Sequence, residues 1–247
     1  MCVKELINLY NVKPYGVLHV GAHFAEENEE YRINNFDNGG GIIWVEAIPK
    51  IADVIKKKLD PNTNKIYCAA VWNYDGIEME LNVTSKTASS SLLSLGEHLS
   101  TYPEIYVEEK VLVKTARLDT LLKNDDNYEL LVLDIQGAED RAIEGIGVKI
   151  SNVNYIFMEV SKRELYIGTK LVYDMDKFLS QLGFKRVFTA WDRRAKWGDA
   201  LYIRNEIFNQ TLNQRFHSKR KAFQRQIRQW IPLQFFPLLV KIKKLQN

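Results

Sequence analysis

The chain has 247 residues, 46% hydrophobic and 26% charged, enough to bury a full core in one domain and too apolar for disorder along its whole length. Its two cysteines, Cys2 and Cys68, form neither a disulfide framework nor a zinc spacing, and the N-terminus lacks the long apolar core of a signal peptide, so the expected location is the cytoplasm. The net charge of +3 hides a division: residues 207–247 carry nine Lys and Arg and no acid, leaving 25 basic against 31 acidic residues, or −6, in residues 1–206. A mildly acidic body argues against a nucleic-acid-binding face there.

Apolar runs recur along the body at 17–20, 42–45, 66–71, 130–135, 153–160, 184–189 and 200–203. Helix-like segments separate them: 24–36, 49–59 opened by Pro49, 137–146, and 171–182 ahead of Gly183. This alternation predicts an α/β fold, a mostly parallel sheet with helices on both faces. Between the third and fourth runs lies a β-rich insert, 76–128, with alternating stretches Ile77–Val83 and Ile105–Thr115 around the serine-rich turn Ser85–Ser91. It reads as a hairpin-like excursion over the sheet edge, ending in a short helix at Arg117–Leu122. Composition changes at Glu206, so the predicted organisation is a body, 1–206, followed by a basic amphipathic extension, 207–247.

Chemistry concentrates where the runs end. The segment Gly16–Glu27 is an apolar run that breaks at Gly21 into a helix-like stretch, as a nucleotide-binding strand-turn-helix does; a residue without a side chain lets the backbone approach a ligand. The second run ends in Glu46, 25 residues after Gly21, where a β-α-β unit places a carboxylate on ribose hydroxyls. Together these suggest an adenosine-containing cofactor. Ligands of open parallel sheets collect at the carboxyl ends of strands, which directs attention to His19 to His23, Glu46, Ala69 to Trp72, Asp134 to Gln136, and Glu159. His19 alternates inside an apolar strand, the pattern of a core histidine, whereas His23 sits in the turn. In Asp134-Ile-Gln-Gly-Ala-Glu139, helix capping accounts for Glu139, a placement worth ~0.3–1 kcal/mol. It accounts less well for Asp134, which emerges from a buried strand into a partly desolvated cleft.

Val17-Leu-His-Val-Gly-Ala-His23, Val45-Glu-Ala-Ile-Pro49, Arg117-Leu-Asp-Thr-Leu-Leu122, Leu133-Asp-Ile-Gln-Gly-Ala-Glu139 and Phe157-Met-Glu-Val160 occur in an order that resembles FkbM-like methyltransferases. The resemblance spans about residues 15–204, with His19 where the family commonly has Asp and Ala25 where it has Gly. It implies the class I methyltransferase (Rossmann-like) fold with a seven-stranded sheet, S-adenosyl-L-methionine as cofactor, and O-methylation of a sugar, glycan or natural product. By position it implies cofactor contacts from His19, Gly21, Ala22, His23 and Glu27 toward the amino-acid end, and from Glu46, Ala47 and Ile48 at the ribose. It puts Ala69, Ala70 and Val71 beside the adenine, and Asp134 and Gln136 at the sulfonium and acceptor. Asp134 and Glu159 are the expected catalytic carboxylates, with Glu139 and His98 as further possible bases; no metal site is assigned.

Two rivals share these features. A nicotinamide-dependent oxidoreductase would use the same turn and ribose acid, although the second and third glycines of Gly-x-Gly-x-x-Gly are missing. A non-catalytic scaffold would keep the fold and bind partners or a membrane through its tail. In that tail Trp230–Val240 is an apolar stretch of eleven residues with two prolines, short of the ~20 needed to span a bilayer. The readings it leaves open are packing on the body or another subunit, peripheral membrane contact, and, ranked last, an RNA-contacting arm.

Overall fold

Four of the apolar runs are buried on both faces, a condition that only a sheet between two layers of helices satisfies. In the computed structural model, which describes residues 10, 12–37, 39–124, 126–192 and 196–210, all seven runs join one sheet. The strands are β1 (Val17–Val20), β2 (Ile42–Glu46), β3 (Asn64–Cys68), β7 (Leu130–Leu133), β8 (Tyr155–Ser161), β9 (Phe184–Trp191) and β10 (Trp197–Arg204), in the order β3-β2-β1-β7-β8-β10-β9. Strand β10 runs antiparallel to β8 and β9, and the β3-β2-β1-β7-β8 ladder is parallel throughout. The order reverses beside β1, and a crevice opens where the chain leaves β1 and β7 in opposite directions. All these strands belong to the compact unit that ends at Asn205.

The helices are α1 (Asn28–Ile33), α2 (Pro49–Lys58), α5 (Glu139–Ile146) and α6 (Val172–Gln181). On one face Tyr31 of α1 packs against Trp44 and His19. On the other, Ala142, Ile143 and Ile146 of α5 and Met175 and Leu179 of α6 bury Leu18, Val20, Leu131 and Leu133. Helix α2 starts at Pro49, whose fixed φ and missing N–H suit the first helical position. The predicted helix at 24–36 is corrected to six residues, because His23 and Ala25 adopt positive φ of 44° and 53° and hold the chain in turns up to Glu27.

The predicted third strand also divides. It stops at Cys68 and resumes as β4 (Ala70–Val71), parallel to β6 (Val107–Ala116), which pairs antiparallel with β5 (Glu78–Thr84) in a second sheet. The insert is therefore a hairpin, but it reaches farther than an edge excursion. Its long connection contains α3 (His98–Thr101), bridges back at Asn82 with Ser91, and bridges Leu95 with Tyr166 beyond β8. Helix α4 (Leu118–Leu121) closes the insert, two residues shorter than predicted. Nearly all of the basic extension, 211–247, including Trp230–Val240, lies outside the described residues. Among the described residues no helix is long and apolar enough to cross a membrane.

Candidate active site

Two cavities meet at the carboxyl ends of the central strands, and Asp134 lines both. The larger is walled by Gly21, His23, Glu46 to Ile48 and Ala69 to Val71, and roofed by Leu81 and the insert's Thr87, Ala88 and Ser90 to Leu92. The smaller, about 360 Å³, is lined by His19, Glu27, Tyr31, Glu159 and Asp199 among others.

Glu46 ends β2 only 6% exposed. Its two carboxylate oxygens each accept one backbone N–H, Oε1 from Ile48 and Oε2 from His23, both at 2.8 Å. Burial pushes this carboxyl above the usual range, while the Ile48 and His23 amides pull it back down. Each oxygen keeps a second lone pair, so the group is fixed in position yet can still accept a pair of hydroxyls. His23 ties the same turn to the roof: its ring meets Glu26 through Nδ1 at 2.7 Å and Thr87 through Nε2 at 2.9 Å.

The glycine at the end of β1 also serves a neighbouring strand. A Cβ on Gly21 would fall 1.8 Å from the backbone oxygen of Asp134, so the two strand ends can lie side by side only if this residue has no side chain. Its φ of +87° adds a second reason. Gly21 thus meets a constraint from β7 that the sequence did not show, and it also lines the larger cavity, where the sequence reading puts it.

Asp134 opens to the cleft and is crowded on its other sides. Burial raises its carboxyl to about 6, with Asp199 and Glu27 adding repulsion, against a 2.6 Å hydrogen bond donated by the Gln136 amide to Oδ1. Gln136 itself has φ of +56°. His23, Ala25 and Gln136, three of the five described non-glycine residues at positive φ, lie in the turns after β1 and β7, where local strain is held by the surrounding packing. Glu139 closes the second turn, accepting the Gly137 amide at 3.1 Å and the Ile135 amide at 3.3 Å, and burial pushes it up to about 7.

The smaller cavity is short of counter-charge. Glu159 and Asp199 face each other across β8 and β10, and Glu27 lies on the same cavity wall. Burial first, then Asp134, Glu139 and Asp199, push the Glu159 carboxyl well above the usual carboxylate range. Burial raises Glu27 and Asp199 as well. His19, 3% exposed, stacks on Trp44 at 4.9 Å and meets the Tyr31 hydroxyl at 3.1 Å; burial drives it down to about 3, so it is neutral. No three such groups among the described residues converge closely enough to hold a metal ion.

The structure thus gathers Gly21, His23, Glu46, Ala47, Ile48, Ala69, Ala70, Val71 and Asp134 around the larger cavity. It puts His19, Glu27 and Glu159 in the smaller one, buries Ala22 beneath the turn, and holds Gln136 against Asp134. His98 is buried against Tyr102 and Tyr166, away from both cavity walls. Sequence reasoning missed Asp199, Tyr31 and Tyr166. Asp199 had a readable signal, since it precedes the apolar run 200–203 at the partner position of Glu159; Tyr166, in a loop, had none. A buried acceptor carboxylate beside the small apolar surface of Ala69 to Val71 suits an adenosine group: a diol at one end and a flat ring at the other.

Residues 19–186 match the FkbM methyltransferase domain, and the chain belongs to that family. S-adenosyl-L-methionine is its cofactor. Over 82 residues the chain is 32% identical to the 2-O-methyltransferase NoeI of Sinorhizobium fredii (strain NBRC 101917 / NGR234), a match covering 32% of this chain and 34% of NoeI. The crystal structure of methyltransferase FkbM from Methylobacillus flagellatus KT superposes with a TM-score of 0.50 at 12% identity, over 76% of this chain and 43% of that one. Magnesium protoporphyrin IX methyltransferase from Synechocystis PCC 6803, solved with bound S-adenosylmethionine, gives 0.44 at 12% identity over 82% of this chain and 76% of that one. The chain matches about a third of the curated relative's length and under half of the FkbM structure's. The fold is that of the class I, Rossmann-like methyltransferases, and family membership sets aside the nicotinamide-dependent oxidoreductase.

Proposed function

We propose that this chain transfers the methyl group of S-adenosyl-L-methionine to a hydroxyl oxygen of a sugar, glycan or natural product. The observation that carries the reading is the position of Asp134 on the wall shared by the two cavities. When bound, the cofactor supplies an electrophilic methyl group. Glu46 holds the ribose hydroxyls, Ala69 to Val71 flank the adenine, and the Gly21–His23 turn with Glu27 borders the amino-acid end. Methyl transfer is an in-line displacement that depends chiefly on positioning and on a group to take the hydroxyl proton. Asp134, raised to about 6, is ionised at neutral pH and still basic enough for that task. Glu159, on the same cavity wall as Asp134 and raised by burial, hydrogen-bonds the acceptor.

Support for oxygen as the acceptor atom comes from the NoeI match, and it covers a short stretch. The test is incubation with methyl-tritiated S-adenosylmethionine and a panel of neutral mono- and oligosaccharides and hydroxylated natural products. Label in an alkali-stable ether is the expected outcome; label in an ester or on nitrogen overturns O-methylation. Calorimetry with S-adenosylhomocysteine checks the cofactor independently, and a folded chain that fails to bind it overturns the whole reading, leaving a non-catalytic scaffold. For organisation we propose a body, 1–206, sufficient for cofactor binding, with the basic extension serving assembly or membrane contact. Truncation after Glu206 should preserve S-adenosylhomocysteine binding.

A further inference from the structure

Tyr166 is 2% exposed, and the packing around it involves both the catalytic turn and the insert. Its backbone bridges Leu95, and its ring lies 5.3 Å from that of His98. A Cβ on Gly137 would sit 2.9 Å from the Tyr166 Cβ and 3.2 Å from Leu93, so the glycine of the Asp-Ile-Gln-Gly turn makes room for this tyrosine. The hydroxyl of Tyr166 has two acceptors in reach, Gln136 Oε1 at 2.5 Å and the Ser89 carbonyl at 3.2 Å, and one hydrogen to give. Burial, with Glu159, Asp134 and Glu139 nearby, pushes the phenol far up, so that hydrogen stays on it. Ser91 closes the circuit by donating to the Gln136 carbonyl at 2.8 Å.

These contacts permit two complete hydrogen-bonding arrangements. With Asp134 ionised, Tyr166 donates to Gln136 Oε1, and the amide Nε2 donates to Asp134 Oδ1. With Asp134 protonated, its own O–H donates to Gln136 Oε1 once the amide has turned over. Nε2 then donates to the tyrosine oxygen, and Tyr166 turns its hydrogen to Ser89. Both hydroxyl groups and one amide hydrogen are satisfied in each state, and one proton distinguishes them.

We propose that Tyr166 is a positioning residue for Asp134. Acting through Gln136, it fixes the carboxylate that receives the acceptor's proton, and it passes the arrival of that proton to the Ser89 carbonyl, between Ala88 and Ser90 of the cavity roof. The inference rests on Asp134 being the base. The carboxyls facing Asp134 are Glu27 from the β1–α1 turn, Glu139 from α5, Glu159 from β8 and Asp199 from β10; they set its background repulsion, and the Gln136–Tyr166 pair sets its orientation.

The test needs no acceptor. Full-length protein carrying carboxyl-¹³C aspartate is titrated by NMR as wild type, Tyr166→Phe, Gln136→Ala and the double variant, with Asp134→Asn assigning the resonance. Each single change should move the Asp134 midpoint upward by about 0.5–1 in pH, the size of one lost hydrogen bond. The double variant should move no further than Gln136→Ala alone, because Tyr166 acts through the amide. An unmoved midpoint in Tyr166→Phe, or shifts that add in the double variant, overturns the proposal. S-adenosylhomocysteine binding measured on the same samples keeps the outcomes apart: its absence in wild type sinks the methyltransferase reading, whereas binding with an unmoved midpoint sinks the relay alone.

Discussion

Glu46 and Glu159 are glutamates at the same end of one sheet, and their surroundings give them opposite characters. Glu46 is buried with a backbone amide on each oxygen, so its charge is compensated in place. Glu159 is buried among Asp134, Glu139 and Asp199, so its charge is opposed by every near carboxyl. Burial raises both; the Ile48 and His23 amides pull Glu46 back down, whereas the carboxyls around Glu159 push it further up. Asp134 stands between them, in contact with one amide and two carboxyls, and its value of about 6 reflects that mixture.

Removing the proposed base, Asp134, is the harshest way to test this contrast. Asp134→Asn should lower turnover by ~10²–10⁴-fold, the usual worth of general base catalysis, with S-adenosylhomocysteine affinity nearly unchanged. In the wild type, turnover should rise with pH through about 6 and level off above it. That limb belongs to the Asp134–Glu139 pair as a whole. The fold should survive the change. The native state binds this proton more tightly than the unfolded chain, about 6 against 3.8, so the stability it lends is full below 3.8 and lost as pH rises through about 6. Loss of less than tenfold in turnover would move the base elsewhere.

The binding side of the contrast predicts a smaller loss. Glu46→Gln should weaken S-adenosylhomocysteine by ~10–100-fold in calorimetry, the worth of a charged hydrogen bond at ~1.5–3 kcal/mol. Glutamine keeps an acceptor for one of the His23 and Ile48 amides, whereas alanine would leave both without one. Equal affinity in a folded variant would remove Glu46 from the site. Glu159→Gln removes a charge that Asp134, Glu139 and Asp199 already oppose, and should change turnover at pH 7 by less than about threefold; a drop beyond tenfold would make Glu159, not Asp134, the base.

The smallest expected effect concerns the strained turn. Ala25→Gly should raise stability by a few tenths of a kcal/mol in thermal melts: releasing an alanine from left-handed backbone returns ~1–2 kcal/mol, and losing a buried methyl costs ~0.8 kcal/mol. A destabilised variant would mean that the methyl packing outweighs the strain.

The sequence by itself determined where the strands of the main sheet lie, because a strand buried on both faces must be written as an unbroken apolar run ended by a polar residue; it missed the break after Cys68. Gly21, Glu46 and Asp134 were legible for that reason. Helix 24–36 was overcalled because apolar periodicity continues through a turn whose positive φ values at His23 and Ala25 leave no local signal in residues other than glycine. Only the tertiary structure decided why Gly21 must be glycine, since its constraint comes from the Asp134 carbonyl more than a hundred residues away. It likewise decided that β10 inserts antiparallel and sets Asp199 opposite Glu159, and that the insert crosses the cleft to reach Tyr166. Local pattern records how each segment meets the core; the charge of a carboxylate depends on which distant groups surround it, and those neighbours are fixed by strand order.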